Sequence, residues 1–190
     1  MLLTSADALK VGGSTVDRVY VGANRVWPPA PAGSVYAFPS DAAGRPSAPT
    51  QYQDDTAGMT IGTHFACSDA GVIATAIDAY IPYGVTMAPR LYELSGTLLA
   101  SGSPVTSSAD GWYRLPFDAT HLLDVGVDYV GGTFQSGSEK YAAVAGVFPA
   151  TVGPLYTTDG TSGIYAYGVD AVPTTTSAAW FCIDVIAETA

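Results

Sequence analysis

The chain has 190 residues, 48% of them hydrophobic and only 13% charged, and 17 acidic against 7 basic residues give a net charge of −10. This length holds one sizeable core, and the negative charge makes polyphosphate, and therefore nucleic acid, an unsuitable partner. No apolar run reaches the roughly 20 residues that cross a bilayer, and the first residues do not resemble a signal peptide. We therefore expect neither membrane insertion nor secretion by a leader.

The first 27 residues are predicted to form a small β-meander, with turns at the GGST run and at Gly22-Ala23-Asn24. About 30 residues are too few for a self-sufficient core, so either the main domain or another subunit must cover these strands. The Pro-rich residues 28–33 form a stiff spacer, which favours another subunit. The predicted docking residues are Val11, Val19, Tyr20, Val21, Val26 and Trp27.

Residues 34–190 are predicted to form one all-β domain, a β-sandwich or jelly roll. The 21 Gly and 13 Pro of the whole chain include most of the turn formers that separate short apolar runs of alternating pattern, and no helical interval stands between these runs. Residues 40–58 are polar and rich in turn formers, so we expect a long loop there. Segment 72–81 fits helical spacing, but its β-branched residues favour a strand with Ile73, Thr75, Ile77, Ala79 and Ile81 on one face.

The closing stretch 159–188 is predicted to be strand, loop and strand. In its last part, Trp180, Cys182 and Asp184 alternate with Phe181, Ile183 and Val185, which predicts one unbroken strand. Cys67 and Cys182 lie in apolar strand-like runs and are predicted to be two buried thiols, with a disulfide left open as the alternative.

Two resemblances to known families add to this prediction. The run LKVGGSTVDRVYVGANRVWP is similar to the N-terminal segment of minor tail proteins of actinobacterial phages, which implies attachment to a virion. The ordered runs LYELSGTLLAS, GWYRLPF, GVDYVGGTF, SGIYAYG and AWFCIDVIAE resemble a family of uncharacterised β-sandwich domains found beside carbohydrate-active modules. The second resemblance covers residues 35–188.

Catalytic and metal-binding chemistry has little support in the sequence. His64 and His121 lie in no nucleophile motif, and adjacent Asp54 and Asp55 in a polar loop lack the separation that glycoside hydrolysis needs. We therefore predict that the chain is not an enzyme and needs no cofactor. A structural calcium ion stays open, because hard cations prefer clustered oxygen ligands. Its candidate ligands are Asp41, Asp54, Asp55, Asp110 and Asp159.

Twelve Tyr and three Trp supply the rings that a sugar-binding hypothesis needs, because a flat ring with a polar edge stacks on the apolar face of a pyranose. Since Trp112 and Tyr113 are consecutive in a predicted strand, one of them points outward. The predicted glycan-contacting residues are Tyr83, Tyr113, Tyr141 and Tyr156.

These observations predict a phage tail protein that attaches by its N-terminus and presents a β-sandwich to host surface polysaccharide. The resemblance implies a homo-oligomer such as a trimer, assembled with other virion subunits in the host cytoplasm and then exposed to the medium. The alternative is an architectural virion protein that binds no glycan. An enzyme acting on cell-wall polysaccharide is the third and weakest hypothesis.

Overall fold

The computed structural model describes residues 10–11, 14–15, 19–21, 24–27, 33–54, 58–137, 139–157 and 159–190. In its first part, β1 (Lys10–Val11) pairs with β2 (Ser14–Thr15), and β3 (Val19–Val21) pairs with β4 (Asn24–Trp27). Both pairs are antiparallel hairpins in separate sheets, where the sequence predicted one meander. The linker residues 28–32 lie outside the described residues, as do the side chains of the predicted docking residues: Val11, Val19, Tyr20, Val21, Val26 and Trp27.

The remainder of the described chain is almost entirely β-strand, which confirms the predicted all-β class. Its elements are β5 (Val35–Phe38), α1 (Ser40–Ala43), β6 (Thr50–Asp54), β7 (Met59–Cys67), β8 (Val72–Ile81), β9 (Thr86–Glu93), β10 (Leu98–Ser101), β11 (Val105–Thr106), β12 (Gly111–Leu123), β13 (Asp128–Gln135), β14 (Glu139–Ala145), β15 (Thr151–Val152), β16 (Leu155–Tyr156), β17 (Gly163–Tyr167), β18 (Thr175–Ser177), β19 (Ala179–Trp180) and β20 (Ile183–Thr189). None of the helical structure in the described ranges has the length and apolar character of a membrane span.

The described residues from 33 onward form three antiparallel sheets. The large sheet has the order β10-β9-β13-β7, and both β16 and β17 pair with the far edge of β7, carrying β15 and β18 with them. The four-stranded sheet has the order β12-β8-β20-β5, and the small sheet has the order β19-β14-β6. The large and four-stranded sheets face each other, as expected of a β-sandwich.

The main core lies between these two facing sheets. Phe65 and Leu91 of the large sheet and Ile77 and Val185 of the four-stranded sheet belong to it, each no more than 1% exposed. At Gly131 the large sheet approaches so closely that a β-carbon there would collide with the Val185 side chain. Glycine is therefore required at this position for the sheets to pack at the observed spacing.

Strand β8 follows the predicted face over only half of its length. Ile77 points into the core as predicted, but the register with β12 and β20 skips Thr75, which forms a β-bulge. Because a bulge adds one residue to the strand, the alternation of side chains before it is shifted to the opposite face relative to the alternation after it. Val72 and Ala74 are therefore buried in the core, while Ile73, which was predicted to lie on the core face, is half-buried on the other side.

The predicted unbroken closing strand is wrong, because the chain bends at Cys182. The φ angle of Cys182 is 53°, in the left-handed region that ends regular strand geometry. Before the bend, β19 pairs with β14 of the small sheet, and after it, β20 pairs with β8. The indole N–H of Trp180 donates to the Ile183 carbonyl at 2.9 Å and bridges the bend. The bend frees Phe181 from both strands.

Candidate binding site: an aromatic cleft

An open cleft of about 220 Å³ lies between the β17–β18 edge of the large sheet and the small sheet. Every described residue that lines it is uncharged. The lining residues are Tyr52, Met59, Tyr141, Ala143, Tyr165, Tyr167, Ser177, Ala179 and Phe181.

Strand pairing places the rings of each wall. In the small sheet, Tyr52 stands opposite Tyr141 across β6 and β14, and their rings stack with centroids 5.4 Å apart and planes 19° apart. On the facing wall, Tyr165 and Tyr167 are two residues apart in β17, so both side chains leave the same face. Their rings meet at 5.5 Å and 68°. Each wall is therefore a contiguous aromatic surface.

Phe181, which the bend at Cys182 releases from the strands, joins the two walls. Its ring makes edge contacts with Tyr141 at 5.8 Å and with Tyr165 at 5.9 Å, both at 69°. Such perpendicular contacts suit the charge distribution of aromatic rings. Because each of these rings packs against another, the cleft is formed before any ligand arrives.

The cleft changes character with depth. At its floor, Met59, Ala143 and Phe181 are 1%, 7% and 6% exposed. At its rim, Tyr52 and Tyr167 are 47% and 40% exposed. The site therefore offers an apolar floor beneath tyrosines whose edges reach solvent.

Of the four predicted glycan-contacting residues, the structure places Tyr141 in this cleft. Tyr83 lies in the turn after β8, where it is 67% exposed and its amide donates to Asp110 at 2.6 Å. Tyr113 is half-buried against the core, and its hydroxyl donates to the Ala109 carbonyl at 2.9 Å. Tyr156 is half-buried in β16. These three residues are not among those that line the cleft.

Sequence reasoning missed the other rings of the cleft. The alternation of Tyr165 and Tyr167 was recognised as a strand, but their facing wall was not visible, because Tyr52 lies in the segment predicted to be a long loop. The structure instead forms strand β6 over Thr50–Asp54. Phe181 was predicted to lie in the middle of a strand, but the bend at Cys182 places it in the cleft. The only sequence signal for strand β6 was the run Thr-Gln-Tyr-Gln within a turn-rich segment.

A charge cluster around two buried carboxylates holds the segment that leads into β6. Asp78 and Asp184 are opposite one another on β8 and β20, on the face away from the core. Arg114 donates twice to Asp78, at 2.7 and 2.9 Å. Arg45 donates to Asp78 at 2.6 Å and to Asp184 at 3.0 Å, and the Ser40 hydroxyl donates to Asp184 at 2.6 Å. Two carboxylates thus face two guanidinium groups.

Burial and charge act differently on the two carboxyl groups. Burial raises the pKa of Asp184 to about 6. The hydrogen bond from Ser40 and the positive charge of Arg45 lower this pKa, but burial has the larger effect. Burial also acts against ionisation of Asp78, but Arg114 and Arg45 outweigh it and lower its pKa. The guanidinium of Arg45 also lies 4.8 Å from the centre of the Trp112 ring. The loop before Tyr52 is therefore held to the four-stranded sheet.

The two cysteines are free and buried, as the preferred prediction from the sequence had it. Burial raises the pKa of Cys67 to about 11 and the pKa of Cys182 to about 12. Both groups are therefore thiols, not thiolates, near neutral pH.

Three of the aspartates considered for calcium accept hydrogen bonds from backbone amides. Asp41 accepts the Ala37 amide at 2.8 Å, and Asp159 accepts the Thr161 amide at 2.8 Å. Asp110 accepts the Tyr83 amide, whereas Asp55 and the Asp54 side chain lie outside the described residues. Within the described ranges, no group of three His, Cys, Asp or Glu side chains could hold a metal ion.

The histidines lie apart from the cleft. His64 Nε2 is 3.1 Å from Asp128 Oδ1, and the His121 ring meets Tyr129 edge-on at 6.3 Å. Both residues sit in strands, β7 and β12.

Comparison with models of known protein families assigns the chain to a family. The model of a domain of unknown function, DUF4082, matches residues 46–181, which is most of the chain. The chain belongs to the DUF4082 family. The matched range of this DUF4082 domain includes every described residue that lines the cleft. A comparison with curated protein sequences finds no match.

Among solved structures, the DUF4082 domain is similar to a clostridial cysteine protease, Cwp84, after propeptide cleavage, with a TM-score of 0.52 and 10% identity. The match covers 74% of this chain and 38% of that chain. The chain thus corresponds to well under half of the protease's length.

This match overturns the prediction that the chain is not an enzyme, because the same fold forms part of a cysteine protease. The prediction rested on the absence of nucleophile motifs from the sequence. Such motifs are local features, and their absence does not indicate in which kinds of protein the same fold occurs. At 10% identity the likeness shows the fold alone, and the activity in the neighbour's name is not carried over to this chain.

Proposed function

We propose that this DUF4082 domain binds carbohydrate on a host cell surface and that its aromatic cleft is the binding site. The observation that carries the proposal is the preformed pair of tyrosine walls, Tyr52 with Tyr141 and Tyr165 with Tyr167, joined by Phe181. Pyranose rings have an apolar face that stacks on such rings and hydroxyls that bond to tyrosine edges.

The setting that we propose is a phage tail. The similarity of residues 9–28 to the N-terminal segment of minor tail proteins supports attachment through that segment. A small cleft binds one sugar weakly, but several copies on one particle multiply the strength of attachment. A homo-oligomeric tail component therefore needs no tight single site.

The test uses the full chain and isolated actinobacterial cell envelopes, with free sugars as competitors. We expect saturable, sugar-competed retention of the wild type and about a tenfold loss for Tyr52→Ala or Tyr141→Ala, because each change removes one of two stacked rings. Tyr83→Ala is the matched control, since Tyr83 is an exposed tyrosine outside the cleft. Equal retention of all four proteins would show that the cleft is not the site.

The architectural alternative makes the opposite prediction. A protein that only packs against other virion subunits would not be retained on envelopes, even when it is artificially multimerised. Its cleft would then be a contact surface for a neighbouring subunit, and Tyr52→Ala would weaken assembly and leave envelope binding at background.

A further inference from the structure

Gln135, the last residue of β13, has a buried side chain with unused hydrogen-bonding capacity. It is 0% exposed, and among the residues that the structure describes, neither its Oε1 nor its Nε2 has a hydrogen-bond partner. Most buried polar groups in proteins are paired, and an unpaired amide weakens the fold. An amide in this state is available to a partner from outside the described residues.

The position of Gln135 relates it to the cleft. Gln135 pairs with Met59 across β13 and β7, and Met59 pairs with Tyr167 across β7 and β17. Paired residues share a sheet face and neighbouring strands are about 4.8 Å apart, so the three side chains form one row. Tyr167 stands at the rim and Met59 forms the floor. Gln135 does not line the cleft, but it follows Met59 in this row of side chains. Met59 is flexible enough to move aside for a small group.

The lining restricts which sugars fit. The side chains of Met59, Ala143 and Phe181 at the floor offer no N–H or O–H donor and no oxygen acceptor, so the group that enters must have an apolar tip. The described lining holds no cation, and the chain carries a net charge of −10, which disfavours a uronic acid or phosphate. At about 220 Å³ the cleft is smaller than most ligand pockets and suits one ring.

An acetamido group meets these requirements together. Its methyl group suits the apolar floor, and its N–H and C=O complement the free C=O and NH₂ of a glutamine amide. We infer that the cleft takes an uncharged N-acetylhexosamine residue, with its ring against Tyr52 and Tyr141 and its acetamido group directed past Met59 to Gln135. This inference rests on the proposed carbohydrate-binding function.

Matched sugars test it on the full chain. N-acetylglucosamine and glucose differ only at carbon 2, as do N-acetylgalactosamine and galactose. NMR titration should show at least about tenfold tighter binding of the N-acetylated member of one pair, because a site built around an amide partner rejects a ligand that lacks it. Equal dissociation constants within both pairs would overturn the inference while leaving the cleft as a sugar site. Failure of every sugar to bind would overturn the proposed function as well.

A glutamine variant tests the role of Gln135 itself. Gln135→Met keeps a similar volume and removes the amide, so we expect the N-acetyl preference to vanish while glucose affinity and the thermal midpoint do not fall. Gln53→Met, at an exposed glutamine of β6, is the matched control and should keep the preference. A preference that survives in Gln135→Met would refute the assignment of this residue.

Discussion

The buried carboxyl group of Asp184 makes stability depend on pH in an unusual direction. Its pKa is raised from 3.8 to about 6 in the folded protein, chiefly by burial, so the folded chain binds a proton that the unfolded chain has released between these values. Folding stability from this group is therefore greatest below pH 3.8 and is lost as pH rises through 6. A difference of roughly two pKa units corresponds to about 3 kcal/mol.

The Asp184→Asn variant isolates this effect. Asparagine has nearly the same shape and can accept a hydrogen bond from Ser40, but it does not titrate. From pH 4.5 to 7.5, we expect the variant to gain about 2 kcal/mol of unfolding free energy relative to the wild type. Asp78, the carboxyl group opposite Asp184, titrates below this range because its pKa is lowered, and Arg45 stays charged throughout.

Urea unfolding followed by tryptophan fluorescence measures the difference at each pH. Trp112 stands beside Arg45, so its emission reports on the cluster as well as on global unfolding. Other acidic groups affect wild type and variant alike and cancel in the subtraction. A difference that is constant between pH 4.5 and 7.5, or that falls as pH rises, would refute this account of Asp184.

Two further predictions concern the core. Gly131→Ala should lower the unfolding free energy by about 2 kcal/mol, because its new β-carbon collides with Val185. Gly137→Ala is the control and should leave the unfolding free energy unchanged, because its β-carbon meets nothing within 4 Å. Equal denaturation midpoints for both variants would contradict the close approach of the sheets. Cys67 and Cys182 should resist iodoacetamide at pH 8 in the folded protein and react on unfolding, because both thiols are buried and their pKa values are about 11 and 12. Mass spectrometry measures this, and rapid labelling of either native thiol would contradict it.

Part of the candidate site was accessible to sequence reasoning. Tyr141 was predicted to be an exposed tyrosine that contacts the ligand, and Tyr165 and Tyr167 were recognised as alternating positions of a strand. The meeting of the two walls was not predictable, since it depends on which strands pair and in which register. The stacking partner of Tyr141, Tyr52, lies in a segment whose polar composition indicates a loop, and it becomes a strand by pairing with β14.

The charge cluster shows the same limit. Asp184 sits among apolar neighbours of a closing strand, which marks it as a carboxyl group in need of partners. Those partners are Ser40 and Arg45, which lie more than a hundred residues earlier in a turn-rich segment. Strand pairing supplies Asp78 as the facing carboxylate and thereby brings in Arg114. Nothing local to any of these residues specifies the others.

The all-β class and most strand positions could be predicted from the sequence, because the alternation of apolar side chains is a local property of an extended chain with one buried face. Contacts between distant parts of the chain decided the bulge at Thr75, the bend at Cys182 and the small sheet of β19, β14 and β6. Each depends on register between distant strands, and a shift of one residue reverses every side chain while leaving the local pattern unchanged. The cleft depends on the registers of β6 with β14, of β14 with β19 and of β7 with β17, so it could not be predicted from local sequence either.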